Sequence, residues 1–253
     1  MKIYAFTGAV LLAILIYCTL ILSDTSTFLD DFTSLDENLW DIQIHSFDIN
    51  ACDMKKEMVQ ASNSKLKITV DRKHTPVNLT GKNFLGGGLG TKQYFKYGRF
   101  SVRLKNSIQP GTVSSFFLIN RWKKEDWKHQ EIDIEFLGKN PSLVQFTIHH
   151  YTAPGKKEEY AHVHDLGFDS TEDFHEYSIE WRPEEISWWV DRQKVYTETR
   201  MVPRDSLQIR VNHWAIDTLA APWGTTWLGR LRSEHLPSHV EYEWVRYKPL
   251  SSK

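Results

Sequence analysis

The stretch HQEIDIEFLGKN, from His129 to Asn140, sets Glu131, Asp133 and Glu135 at every second position, with Ile132, Ile134 and Phe136 between them. Alternation on an extended chain sends the three acids to one face and the three apolar residues to the other. Like charges so arranged repel, and no basic residue is interleaved to offset them. Two carboxyls flanking a glycosidic bond are enough to hydrolyse it, one attacking carbon or activating water and the other protonating the leaving oxygen. Positions i and i+4 of a strand lie ~13 Å apart at Cα for a rise of ~3.3 Å per residue. Double displacement needs carboxyl groups about 5 to 5.5 Å apart, a gap that two glutamates leaning together over a concave face can close. Asp133, between them, would hydrogen-bond a neighbour, and its charge would help hold the acid's proton near neutral pH. The same triplet also fits a solvated strand face or a calcium cluster.

The elements that must position these acids are strands. After the turn residues GKNPS the chain returns as LVQFTIHH, with Val144, Phe146 and Ile148 apolar against Gln145, Thr147 and His149. A hairpin centred near Asn140 would set Glu135 opposite Gln145, Asp133 opposite Thr147 and Glu131 opposite His149, one polar floor of six side chains. Period-2 patterning recurs at Lys65 to Asp71, Gly98 to Lys105, Ser114 to Asn120, His175 to Trp181, Ile186 to Asp191, Leu207 to Trp214 and Val240 to Tyr247. Turn signals separate these runs at Gly81, Gly86 to Gly88, Pro110-Gly111, Pro154-Gly155 and Pro183. No long stretch after residue 23 keeps a helical period, so the expectation is an all-β antiparallel sandwich or jelly roll without internal repeats.

The chain has 253 residues, 41% hydrophobic and 25% charged, with a formal net charge of -1. A sizeable core is affordable, and no block of Lys and Arg calls for nucleic acid. Ten tryptophans are an unusual number, and pyranose faces stack on aromatic rings while hydroxyls take hydrogen bonds. Ile3 to Leu22 is uncharged and almost wholly apolar, with Lys2 before it and Asp24, Asp30 and Asp31 after it. Residues 1–23 therefore read as a signal peptide or, given their length, a retained membrane anchor through residues 3–22, with the remainder exported. Residues 24–253 read as one β domain, expected to be a monomer, in which Cys52 has no partner for a disulfide.

EIDIEFLGKN followed by VQFTIHH resembles a family 16 glycoside hydrolase, as do YGRFSVRLK and SSFF before it and LGFD, FHEYSIEWRPEEISWWVD and VNHW after it. The likeness is strongest to the lichenase-like endo-β-1,3-1,4-glucanases and runs from about Phe28 to Tyr247. It implies a β-jelly-roll sandwich with a concave substrate cleft, and hydrolysis of a β-1,3/1,4-linked glucan or bacterial exopolysaccharide with retained anomeric configuration. It further implies Glu131 as nucleophile, Glu135 as general acid/base and Asp133 as the residue assisting the nucleophile. Arg103 resembles a cleft arginine, Gln145 a polar residue beside the acid/base, and Asn212 with Trp214 a sugar subsite, although Trp214 reads equally as a core tryptophan. Trp181 and Trp188 are expected in the core. Departures bear on the substrate. The segment NRWKKEDWKHQ is longer and more basic than its counterpart, and reads either as further sugar platforms at Trp122 and Trp127, with Lys123, Lys124 and Lys128 favouring an acidic polysaccharide, or as a solvated surface loop. His149 replaces an aromatic hydroxyl, and Ser101 an acid. The polysaccharide is the expected partner and the chemistry requires no cofactor. Many members of the family hold a structural calcium on the convex side; Glu243 lies near that place in the chain but matches no ligand pattern closely enough to be assigned, and no metal is placed at the catalytic site. Transglycosylation on the same fold and a non-catalytic sugar-binding module are the alternatives.

Overall fold

The computed structural model describes residues 27–74, 81–107, 109–120, 129–153 and 156–250. Two sheets pack face to face. The first runs in the order β11 (Lys156–Asp165), β10 (Leu143–Ala153), β9 (Gln130–Leu137), β8 (Thr112–Ile119), β15 (Gln208–Ala215) and β6 (Phe84–Thr91). The short strands β2 (Trp40–Ile42) and β3 (Cys52–Met54) pair with β6. The second sheet runs β4 (Val59–Ser62), β5 (Lys65–Arg72), β16 (Ser238–Lys248), β7 (Gly98–Lys105), β12 (His175–Trp181), β13 (Ile186–Val190) and β14 (Gln193–Glu198), with β1 (Phe28–Asp30) on β16. A two-residue pairing of β5 with β6 joins the sheets. The only α-helix among the described residues is the single turn α1 (Gly224–Leu228).

Alternation does the folding. Ile132, Ile134 and Phe136 of β9 and Val144, Phe146 and Ile148 of β10 are fully buried against Phe100, Val102, Tyr177, Ile179 and Trp188 of the second sheet. Each such side chain contributes about 1.5 to 3 kcal/mol through removal from water. Two polar handles cross this core and fix the first sheet from beneath. The indole Nε1 of Trp188 donates to the Asp133 carbonyl at 3.0 Å, and the Tyr242 hydroxyl reaches the Ser115 and Asn212 carbonyls at 3.1 and 3.2 Å. Trp181 is also in the core, as expected, its Nε1 on the Pro203 carbonyl.

The hairpin between β9 and β10 has the anticipated register: Gln145 faces Glu135, Thr147 faces Asp133 and His149 faces Glu131. Its turn is locked locally. The Asn140 side chain accepts from the Ser142 amide at 3.0 Å, an Asx turn, and Gly138 leaves room for the Gln109 carbonyl, which a Cβ would meet at 1.9 Å. A one-residue slip would bury the three acids, so this turn decides where the chemistry sits.

Gly86 to Gly88 are not a turn, in contrast to the reading from sequence. They lie inside β6, where neighbours crowd the backbone: a Cβ at Gly87 would strike Val59 at 2.8 Å, and one at Gly86 the His213 carbonyl at 2.9 Å. Glycine is required there by close approach of side chains and backbone rather than by a reversal of direction.

Candidate active site

The outer face of the first sheet carries rows of side chains across β6, β15, β8, β9 and β10. One row holds Asn212, Ser115, Glu135 and Gln145; the next holds Phe117, Asp133 and Thr147; a third holds Ile119, Glu131 and His149. The three acids thus share one face, with Asp133 only 3% exposed and the two glutamates half-buried.

Each acid has a different environment. Glu131 accepts from His129 Nε2 at 2.5 Å, and His129 is stacked on Tyr151 with ring centroids 5.6 Å apart. Burial pushes the Glu131 carboxyl up, but the His129 hydrogen bond and the charges of His149 and His129 outweigh it and hold the group below the usual carboxylate range. Asp133 is displaced upwards by burial and by the Glu131 charge, against the pull of His149, whose Nε2 stands 3.1 Å from it. His149 is itself held well above the ordinary imidazole range: the bonds to Asp133 and Glu159 overcome its desolvation, with Nδ1 3.1 Å from the Glu159 carboxylate. Glu135 receives Gln145 Nε2 at 3.2 Å and Thr147 Oγ1 at 3.3 Å. No described cation pairs with it directly, and burial, with the Glu131 charge behind it, pushes its carboxyl up to about 7. The two glutamates are therefore displaced in opposite directions from the ordinary carboxylate range.

Other expected site residues divide. Gln145 and His149 are in the floor as anticipated. Asn212 is there too, its Oδ1 accepting from the Ser115 hydroxyl. Trp214 lies on the same face of β15, but only 5% of it is exposed, with Phe47 packed edge-on at 4.8 Å and Trp227 at 6.4 Å; it is a support under the cleft rather than an open platform. Arg103 is a correction. It sits on β7, on the outer face of the second sheet, bonded to the Glu243 carboxylate and to the Phe174 carbonyl. Its neighbours Val102 and Leu104 point into the core, so alternation sends Arg103 to the opposite side of the sandwich from Glu131. Ser101 is on that face too, bonded to Ser178. The Arg103 guanidinium takes the Glu243 carboxylate. Trp122 and Trp127, with Lys123, Lys124 and Lys128, lie outside the described residues, as does the apolar segment 3–22. Among the described residues no helix is long and apolar enough to cross a membrane.

Sequence reasoning missed an aromatic wall. Trp227, on α1, donates its Nε1 to Gln145 Oε1 at 3.0 Å, tying the helix to the residue that holds Glu135. Trp223, 5.7 Å from it, is 56% exposed. The pair stands four residues apart in PWGTTWLG, a spacing that places two indoles on one side of a single helical turn. One further property of the cluster is that Glu131, Asp133 and His149 offer three ligand atoms within 4.8 Å of one another, a nitrogen and oxygen set suited to zinc. An ion there would occupy Glu131, the residue that the family likeness casts as nucleophile.

Two glutamates displaced in opposite directions over a polar floor, with the exposed Trp223 nearby, make the arrangement that hydrolysis of a glycosidic bond by two carboxyls requires. The Glycosyl hydrolases family 16 model matches residues 48–245, and the chain belongs to that family. The beta-glucanase of Acetivibrio thermocellus is 34% identical over 226 residues, covering 88% of this chain and 62% of its own. The beta-glucanase of Brevibacillus brevis is 35% identical over 193 residues, 74% of this chain and 68% of the other. Among solved structures, a prokaryotic beta-1,3-1,4-glucanase (lichenase) from a mouse hindgut metagenome superposes with a TM-score of 0.79 at 29% identity, over 89% of this chain and 100% of that one. The Bacillus licheniformis beta-glucanase gives 0.76 at 28% identity, over 89% and 99%. The jelly-roll sandwich is thus shared with these enzymes.

Proposed function

We propose that the protein is an exported, endo-acting β-glucanase that cuts a β-1,3/1,4-linked glucan, or an exopolysaccharide with such bonds, by double displacement with retention. The observation that supports the mechanism is the placement of Glu131 and Glu135 on one face of β9, in the rows of His149 and Gln145, with their carboxyls displaced in opposite directions. The names of the relatives support the substrate class, and the apolar segment near the N-terminus supports export.

Glu131, ionised, attacks the anomeric carbon as Glu135 gives its proton to the departing glycosidic oxygen. The resulting glycosyl ester carries no charge on Glu131. Since that charge is one cause of the high Glu135 value, its loss lowers the affinity of Glu135 for a proton. The new Glu135 carboxylate then accepts a proton from water, which attacks the same carbon and regenerates both groups. Asp133 and His149, 3.1 Å apart beside Glu131, keep the nucleophile aligned and limit the net charge of the floor. No step requires a metal.

The test is proton NMR of fresh product from a mixed-linked glucan, together with product sizing. The β anomer appearing first, in oligosaccharides of several lengths, is the expected result; the α anomer first would overturn double displacement. Azide should rescue Glu131→Ala with inversion and Glu135→Ala with retention, and the reverse pattern would exchange the two roles. Products longer than the substrate would make the enzyme a transglycosylase. Export is checked by fractionating cells that express the full chain, where activity confined to the cytosol would oppose it.

A further inference from the structure

On the cleft face, beyond the residues described so far, β15 carries Arg210 in the same row as Phe117 and Asp133. Two strand spacings, about 10 Å, separate it from the acid triplet. Its partner on the other side is Gly90. A Cβ at Gly90 would meet Arg210 Nε at 3.1 Å and Cγ at 3.3 Å, and one at Gly88 would meet Gln43 Oε1 at 2.8 Å. Two missing side chains therefore leave a hollow in the cleft floor, and Arg210 and Gln43 lie down in it.

Both side chains are incompletely bonded there. Arg210 Nε, a donor, and Gln43 Oε1, an acceptor, are each buried without a hydrogen-bond partner among the described residues. Arg210 gives one hydrogen bond, from Nη2 to Gln208 Oε1 at 3.1 Å, and Gln43 gives one, from Nε2 to the His45 carbonyl at 3.1 Å. Buried polar groups left unmet cost about 1 to 3 kcal/mol each, so both side chains gain by turning up towards any ligand that supplies the missing partners. Gly88 and Gly90 are two residues apart on one strand, about 7 Å, comparable to one sugar ring with its hydroxyls. A sugar hydroxyl both accepts and donates, so it can satisfy the guanidinium and the amide oxygen together. A carboxylate could satisfy only Arg210 and would set its charge against Gln43 Oε1.

We propose that Arg210 and Gln43, over Gly88 and Gly90, form a subsite for an uncharged sugar unit of the glucan, remote from the bond that is cut. This rests on the β-glucanase reading and names two of the residues through which the cleft holds its chain. Arg210→Met and Gln43→Leu, alone and combined, are to be assayed on mixed-linked oligosaccharides of increasing length. The expected result for Arg210→Met is a KM raised about tenfold, the size of one charge-assisted hydrogen bond, with kcat within about threefold, and only on substrates long enough to reach the hollow. Arg210→Lys should recover part of the loss. An unchanged KM, or an equal loss on the shortest cleavable substrate, would overturn the subsite.

Affinity electrophoresis in gels of neutral or uronate-bearing glucan gives a readout that does not depend on turnover. Arg210→Met should lose retardation in the neutral gel. Greater loss in the uronate gel, or equal retardation of variant and wild type, would overturn the proposal. Wild type that is retarded in the neutral gel but cuts nothing would sink the hydrolase reading while leaving the subsite standing.

Discussion

Both outer faces of this sandwich carry rows of acids and treat them in opposite ways. On the second sheet, Glu176 is bonded to Arg246 at 3.2 Å, Glu180 lies 2.8 Å from Arg182 and 3.6 Å from Arg99, Glu241 lies 3.6 Å from Lys105, and Glu243 is held by Arg103. On the first sheet, Glu131, Asp133 and Glu135 meet two imidazoles, an amide and a hydroxyl, and among the described residues no lysine or arginine bonds to any of them. VEYEW on β16 and EIDIE on β9 look alike as strings. What separates them is whether cross-strand partners neutralise the charge or leave it free to repel and to hold protons. The paired face spreads its charge over half-buried ion pairs at the sheet surface, each carboxylate matched by a cation. The unpaired face stores its electrostatic strain where a reaction can use it.

The most direct way to break this comparison is to remove one charge from each face. Glu131→Gln and Glu135→Gln should each lower kcat by about a thousandfold while leaving KM nearly unchanged, since the amide keeps the shape but neither attacks nor donates a proton with comparable facility. Glu243→Gln, on the other face, should change kcat by less than about twofold. Steady-state assays on one glucan decide it: comparable losses from both faces would end the distinction.

The pH profile sharpens the same contrast. The proposed mechanism needs Glu131 ionised and Glu135 protonated, so kcat/KM should rise through a limb below the usual carboxylate range and fall through one near about 7. The positive charge of His149 lowers both groups. His149→Gln should therefore move both limbs to higher pH by a fraction of a unit to about one unit. Limbs that stay in place would show that His149 carries no charge in the working enzyme.

Much of this was legible in the chain. The register of Glu131, Asp133 and Glu135 against His149, Thr147 and Gln145 followed from two alternating runs and a turn at Asn140, because a slip by one residue would bury three charges. Arg103 was misplaced because likeness to a family motif gave the residue but not its sheet; the alternation of Val102 and Leu104 around it says only that it faces outward, and both sheets have an outward face. β6 was hidden because glycines present no alternating side chains, and the reason for them, crowding from Val59, His213 and Arg210, exists only in three dimensions. β11 was hidden for a different reason: at the sheet edge no residue of KKEEYAHVHD is buried, so no hydrophobic period appears. Trp223 and Trp227 were passed over because a helix of one turn is too short to carry a period.

The smallest expected effect is on stability, and it has opposite signs at the two glutamates. For Glu135, the carboxyl in the folded site holds its proton to about 7 against an ordinary value of 4.5. Between those limits the unfolded chain has released a proton that the folded protein keeps, so stability falls as pH rises through this window. Glu135→Gln mimics the protonated form and escapes the penalty, and should raise Tm by a few degrees at pH 8 while changing it little at pH 4. For Glu131, held below 4.5 when folded, stability is present above the unfolded value and lost as pH falls through the folded one. Glu131→Gln forfeits that contribution, so it should lower Tm at pH 8 and approach wild type in acid. Calorimetry of the two variants should give differences from wild type of opposite sign: the Glu135→Gln difference opens between pH 4.5 and about 7, and the Glu131→Gln difference opens below 4.5 and is level above it. Two curves shifted the same way would mean that the floor treats its glutamates alike, and the division of labour between nucleophile and acid would lose its electrostatic basis.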